Sequence, residues 1–310
     1  MAKQKPRIVL TYPIHCDVIE NELKPYAHVD LIVDPKKLPK ALQNADGLIT
    51  LLTQPVTDSL LANAPRLRVV GNMAIGVDNI DLKACAKRGI QVVNTPDVLT
   101  RATAELAITL LFAAAKRVPE GEALCRQGKF KGWEPDMLLG LELKGRKAVL
   151  VGKGRIGHET GKMMQALGLK VDYITRKDSP AVIEKKLKQA QVLSLHAPYN
   201  ASTKHWLNQQ RIALLPKDAI VINTARGPVI DEKALIQALQ KKRIFAAGLD
   251  VYEKEPQIPN SLRKLPNVVL LPHVGSATRE TREAMARLVV QGTLGVLSGK
   301  RVPNTVKFQG

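Results

Sequence analysis

This 310-residue chain predicts an α/β fold with two doubly wound parallel sheets, on three observations. Short apolar runs alternate with helical patterns along the whole length, the rhythm of βα units feeding a parallel sheet. The series breaks once, at Asn94-Thr-Pro96-Asp97, and restarts at Lys147, and this length leaves room for two cores. The restart carries Gly152-Lys-Gly154-Arg-Ile-Gly157 between a strand pattern and a helix pattern, the context that a G-x-G-x-x-G motif requires.

In the first series, residues 8–10, 29–33, 47–52, 67–71 and 91–93 read as strands, short and apolar as in a sheet covered on both faces. Between them, 18–23, 38–43, 58–62 and 82–87 read as helices, and no glycine motif appears in this half. Met73–Gly76 leaves a strand through a glycine turn. Backbone amides at Ile75 and Gly76 there suit a carboxylate, and a plain structural turn accounts for the same residues equally well.

Residues 99–116 form a helix too apolar for one exposed face, expected to be buried between domains or subunits. A polar excursion follows at 127–135, in which Phe130 and Trp133 read as packing anchors within the chain or across an interface. The second series has strands at 147–151, 170–174, 191–195, 219–223, 244–249 and 268–271. A final helix, 278–297, is long enough to return to the first half, and 302–308 reads as extended.

Gly152 permits a tight turn, Gly154 lets a pyrophosphate approach the backbone, and Gly157 lets helix and strand pack closely. The next strand should end on a carboxylate if the site holds the 2′-hydroxyl of NAD. Asp172 falls too early for that; the strand-end position is Thr175, followed by Arg176 and Lys177. A hydroxyl and two cations suit a 2′-phosphate, so the sequence predicts NADP(H) over NAD(H).

Ligands of open α/β sheets sit beyond the carboxyl ends of the strands. Those ends carry His196-Ala197-Pro198, then Thr224-Ala225-Arg226 after Asn223, then Asp250, Glu253 and Glu255, then His273 with Gly275 and Ser276. The set suits carbonyl reduction. Charge building on the carbonyl oxygen needs an acid, and His273 is the candidate, histidine being the side chain that ordinarily titrates near neutrality. Glu255 is placed to orient its ring, Arg226 to hold a substrate carboxylate and polarise the carbonyl, and Asp250 to accept from the nicotinamide carboxamide.

The net charge is +19, but Lys and Arg are dispersed, and aromatics make up only 4% without interleaving, so nucleic acid is not the expected partner. The field suits small anions instead. Nothing reads as a membrane span, a signal peptide or a metal site. Cys16, Cys85 and Cys125 are odd in number and lack C-x-x-C spacing, which fits the buried or incidental thiols of a reducing compartment, by default the cytoplasm.

Four motifs in order resemble the signatures of the D-isomer-specific 2-hydroxyacid dehydrogenases: Gly152–Gly157, Asn223-Thr-Ala-Arg226-Gly, Gly248-Leu-Asp250-Val-Tyr-Glu-Lys-Glu255-Pro256 and Pro272-His273-Val-Gly-Ser. Gly132-Trp133-Glu-Pro135 and Arg176 make the chain most similar to the glyoxylate/hydroxypyruvate reductase branch. The resemblance implies a Rossmann-type cofactor domain inserted in a flavodoxin-like substrate domain: 1–98 and 281–310 for substrate, 99–280 for cofactor, with a dimerisation segment at 99–140. It implies a homodimeric reductase of small 2-oxo acids, with catalytic roles for Arg226, Glu255 and His273. It places substrate contacts at Ile75, Gly76, Arg226 and His273, with Trp133 reaching a neighbouring subunit's site. Cofactor contacts are expected at Thr103, Gly152, Gly154, Arg155, Ile156, Gly157, Thr175, Arg176, Lys177, Ala197, Pro198, Thr224, Ala225, Arg226, Asp250, His273, Gly275 and Ser276. Thr175 departs from the aspartate usual in the family, in keeping with NADP. Rival readings are another 2-hydroxyacid or a phosphite dehydrogenase of the same fold, and a nucleotide-sensing protein without catalysis.

Overall fold

The structure, a computed structural model, describes residues 4–14 and 16–307, with the side chain of Cys16 excepted. The expected extended run at Phe308 and the surroundings of the Cys16 thiol lie outside the described residues. Two compact units divide the chain, one made of Met1–Leu99 with Ala277–Gly310, the other of Thr100–Ser276.

In the first unit, strands β1 (Arg7–Leu10), β2 (His28–Leu31), β3 (Gly47–Thr50), β4 (Val69–Asn72) and β5 (Gln91–Val93) form a parallel sheet of order β2-β1-β3-β4-β5. The central strands β3 and β4 are wholly buried, as expected where helices cover both faces. Helices α2 (Leu38–Leu42), α3 (Asp58–Leu61) and α4 (Leu82–Lys87) supply Leu38, Leu42, Leu61 and Cys85 against Val9, Leu48, Val70 and Val92. Thr57 and Asp81 start α3 and α4 by accepting from the N–H of Leu60 and Ala84. Helix α12 (Arg279–Leu297) packs on the other face, where Val296 meets Val69 and Val93. The chain then joins β5, as Val306 N–H donates to Val92 O at 2.8 Å.

The helix expected at 18–23 is split into α1 (Cys16–Val18) and a π-helical turn, Ile19–Leu23, in which Lys24 N–H reaches Ile19 O. The widened turn buries Val18, Ile19 and Leu23 together.

The second unit begins with α5 (Thr100–Ala115) and α6 (Val118–Arg126). Its strands are β6 (Lys147–Val151), β7 (Lys170–Ile174), β8 (Val192–Leu195), β9 (Ile220–Asn223), β10 (Ala246–Leu249) and β11 (Val268–Leu270). They are all parallel, in the order β11-β10-β9-β8-β6-β7. Between them lie α7 (Arg155–Ala166), α8 (Pro180–Leu187), α9 (Gln209–Leu214), α10 (Glu232–Gln240) and α11 (Asn260–Arg263). The chain leaves β6 for β7 on one side and returns to β8 on the other. The switch point where an open sheet receives a ligand therefore lies between β6 and β8.

Helix α5 was expected to bury its apolar faces between domains or subunits. Ala107, Leu110, Leu111, Ala114 and Ala115 join this unit's own core with Leu150, Ile222 and Ala246. Its apolarity is that of a helix lying flat on a sheet. Helix α6 is absent from the sequence reading. None of its residues is buried; its signal was Pro119 in the first turn.

Candidate active site

β6 and β8 run side by side with Val151 opposite Leu195, so the glycine turn and His196 emerge together, and His196 N–H donates to Val151 O at 2.8 Å. Gly152 turns at φ +99°, a left-handed conformation that side chains resist. A Cβ on Gly157 would lie 2.2 Å from Gly152 O, so only glycine lets the first turn of α7 close onto the loop. At Gly154, the residue that caps α7, nothing stands within 4 Å of a Cβ position. A helix N-terminus with open space before it is a cradle for a phosphate group. Arg155 is exposed and Ile156 half-buried on the same turn.

Burial pushes the His196 imidazole down to about 4, so it is neutral. Its Nε2 bonds Ser194 Oγ at 2.8 Å, while Nδ1 is buried without a partner. Ala197 is buried and Pro198 exposed beyond it.

At the end of β7, Arg176 and Lys177 are exposed. Thr175 is turned inward: its hydroxyl donates to Asp178 Oδ2 at 2.9 Å and its N–H donates to the same oxygen at 2.7 Å. The expected donation from the Thr175 hydroxyl to a 2′-phosphate is thus not the bond this structure shows. Lys186 of α8 donates to Asp178 Oδ1 at 2.9 Å and to Tyr173 O at 2.6 Å. The hydrogen bonds from Lys186 and Thr175 hold the Asp178 carboxyl below its ordinary range. The sequence signal for this bond was an Asp in the short turn that follows the strand pattern.

Arg226, Glu255 and His273 follow β9, β10 and β11 on one edge of the sheet. His273 Nδ1 lies 2.8 Å from Glu255 Oε2. Burial alone would push the Glu255 carboxyl up. The bond and charge of His273, the Tyr252 N–H and the charge of Arg226 outweigh it, and the carboxyl sits below its ordinary value. The loops carrying Arg226 and Glu255 are in direct contact, since a Cβ on Gly227 would fall 1.8 Å from Tyr252 O. Asn223 shapes the Arg226 turn by accepting from Ala225 N–H and donating to Arg226 O, both at 3.0 Å.

Asp250 is buried and accepts from Val274 and Gly275 N–H at 2.8 Å each, while its carbonyl accepts from His273 N–H at 2.9 Å. It therefore clamps the turn that bears His273, a positioning part the sequence reading did not assign to it. Thr103 of α5 donates to Gly275 O at 3.1 Å, and Ser276 is half-buried beside it. The Thr224 hydroxyl, at the tip of β9, is buried without a partner. A second clasp lies behind Glu255: Glu253 accepts from Glu232 N–H at 3.4 Å, Glu232 accepts from Glu253 N–H at 3.3 Å, and Glu253 bonds His205 at 2.9 Å.

In the first unit, Asn72 and Asn94 each donate to a carbonyl of the expected carboxylate loop, Gly76 O and Ile75 O, at 2.8 Å. No helix starts at this loop; α4 begins at Leu82. Among the described residues, the Ile75 and Gly76 N–H groups donate to no other atom. In the second unit, Trp133 is 80% exposed, with Phe130 and Leu139 also exposed.

The family described as D-isomer specific 2-hydroxyacid dehydrogenase, NAD binding domain, matches residues 108–275. A glyoxylate reductase of Thermococcus litoralis is 41% identical, with 97% of each chain covered. A solved structure of a Thermus thermophilus protein superimposes with a TM-score of 0.92 at 40% identity, over 97% of this chain and 100% of that one. The NADPH-dependent glyoxylate/hydroxypyruvate reductase of Sinorhizobium meliloti, solved with NADP and malonate, gives a TM-score of 0.88 at 34% identity, over 97% of each chain.

Proposed function

Because this chain belongs to the D-isomer specific 2-hydroxyacid dehydrogenases, NAD(P)-dependent oxidoreductases, we propose that it reduces small 2-oxo acids such as glyoxylate or hydroxypyruvate to D-2-hydroxy acids. The reading includes a preference for NADPH. The observation that carries it is the 2.8 Å His273–Glu255 pair on the same strand-end edge as Arg226, in the unit that bears the glycine cradle.

The residues fit a dinucleotide: Gly154 leaves open space before α7, and the Thr224 hydroxyl is a buried donor without a partner. Gly152–Gly157 would hold the pyrophosphate, with Thr103, Ala197, Thr224, Asp250 and the 275–276 turn toward the nicotinamide end. Bound NADPH supplies the hydride. Glu255 occupies His273 Nδ1, which leaves Nε2 to give its proton to the carbonyl oxygen. Arg226 holds the substrate carboxylate and polarises the carbonyl by charge-assisted bonds. The Ile75–Gly76 loop is assigned to substrate on its two unengaged N–H groups.

Arg176 and Lys177 support the 2′-phosphate preference: both are exposed, and neither makes an ion pair among the described residues. The exposed side chains of Trp133, Phe130 and Leu139 support a homodimer through the 99–140 segment.

The test is oxidation of NADPH and NADH with glyoxylate, hydroxypyruvate, pyruvate and longer 2-oxo acids, run beside NADP reduction with phosphite. Turnover of a small 2-oxo acid is expected. Turnover of phosphite alone would make it a phosphite dehydrogenase, and no turnover at all would favour a sensing protein. R176A is expected to raise KM for NADPH about tenfold while leaving that for NADH little changed.

A further inference from the structure

The turn after β7 contains one acid, Asp178, in Thr175-Arg176-Lys177-Asp178-Ser179. An acid at this place opposes the NADPH reading on which this inference rests. A free carboxylate near the end of this strand accepts the ribose hydroxyl of NADH and repels a 2′-phosphate. In this chain the carboxylate is not free. Thr175 contributes its N–H and its hydroxyl to Oδ2, and Lys186 contributes its ammonium to Oδ1.

Lys186 comes from the far side of the turn, on α8, with only 20% of its side chain exposed. It is held by a second bond to the Tyr173 carbonyl and stands 3.6 Å from Asp172, which Lys147 also approaches at 3.5 Å. The two acids at this edge are thereby matched by two lysines. The exposed charges left over are Arg176 and Lys177, with Lys153 of the glycine turn held 4.9 Å over the Tyr173 ring.

We propose that Lys186 sets the cofactor preference of this site by neutralising Asp178, and so is a specificity-determining residue that need not touch the cofactor. Arg176 and Lys177 attract the 2′-phosphate only because the acid beside them is already paired.

Charge arithmetic gives the test its signs. Equilibrium dissociation constants of NADP and NAD are measured by calorimetry on the full chain, alone and as K186M, D178N and the double variant, with melting curves to establish folding. K186M frees the Asp178 charge, and the affinity ratio of NADP to NAD is expected to fall about tenfold. D178N leaves the Lys186 charge unbalanced, so the ratio is expected to rise. The double variant removes both charges and is expected to return toward the starting ratio. A lysine that merely props up the turn would weaken both cofactors alike, would leave the ratio unmoved, and would not be rescued by D178N.

An unchanged ratio in folded K186M overturns the proposal. If K186M does not fold, D178N decides, and a ratio that stays or falls there overturns it as well. A starting protein without preference for NADP would defeat the NADPH reading alone, because the Lys186 effect is read from the change between variants.

Discussion

His273 takes a left-handed backbone conformation, φ +56°, which costs a residue with a Cβ about 1–2 kcal/mol. Asp250 holds it there through three hydrogen bonds spread over residues 273–275. The ring is thereby aimed at Glu255 while Nε2 stays available. H273A is expected to lower kcat at least about a hundredfold. E255Q keeps the shape and loses the charge, and should lower kcat about tenfold with little change in KM. Stopped-flow and steady-state rates with glyoxylate check both, and unaltered turnover in H273A would remove the imidazole from the chemistry. The strand-end positions of these side chains were legible in the sequence because each follows a short apolar run within a local motif. The clamp role of Asp250 was not, since its partners lie 24 and 25 residues away.

Two elements depend on contacts that tolerate no added atom or charge. The 3₁₀ turn Gly227–Val229 abuts the loop that begins at Tyr252, and the Cβ of an alanine at 227 would lie 1.8 Å from Tyr252 O. G227A is therefore expected to cost about 1–3 kcal/mol and to disturb the spacing of Arg226 and Glu255. A lower melting temperature together with a raised KM for the 2-oxo acid would show it.

The end of β8 carries the second. His196 is neutral in the folded chain, held down to about 4 from an ordinary 6.5. The unfolded chain takes up that proton as pH falls below 6.5, whereas the folded chain does so only near 4. Stability from the neutral ring is thus full above 6.5 and drains away toward 4. Between about pH 7.5 and about pH 5 the linked loss is about 2 kcal/mol. Urea unfolding at those two pH values should show a smaller drop for H196Q than for the unaltered chain; equal drops would contradict the burial argument. The helices and strands themselves were readable from period and apolar runs. The split at Ile19–Leu23 was not readable, because a π-turn leaves no mark in the apolar spacing.

At the scale of the molecule, Phe130, Trp133 and Leu139 are large apolar side chains left exposed on the segment after α6. Sedimentation is expected to give twice the chain mass, and W133E to shift that equilibrium toward monomer. A monomer in both cases would leave those side chains without a proposed partner. The net charge of +19 adds an expectation of its own: KM for NADPH should rise with salt more steeply than KM for NADH, because the extra phosphate feels the same screened field.

The sequence by itself determined the alternation of strands and helices, the two βα series, the glycine turn, and the strand-end places of Arg226, Glu255 and His273. Each of these is written in local spacing, where apolar period, glycine conformational freedom and strand ends act over a few residues. Only the tertiary structure decided that β7 and β8 flank β6, that α5 belongs to its own unit's core, and that Asp178 is neutralised by a lysine from the next helix. Pairings of that kind arise when separate elements pack, and a charge is known to be free or spent only once its neighbours are in place.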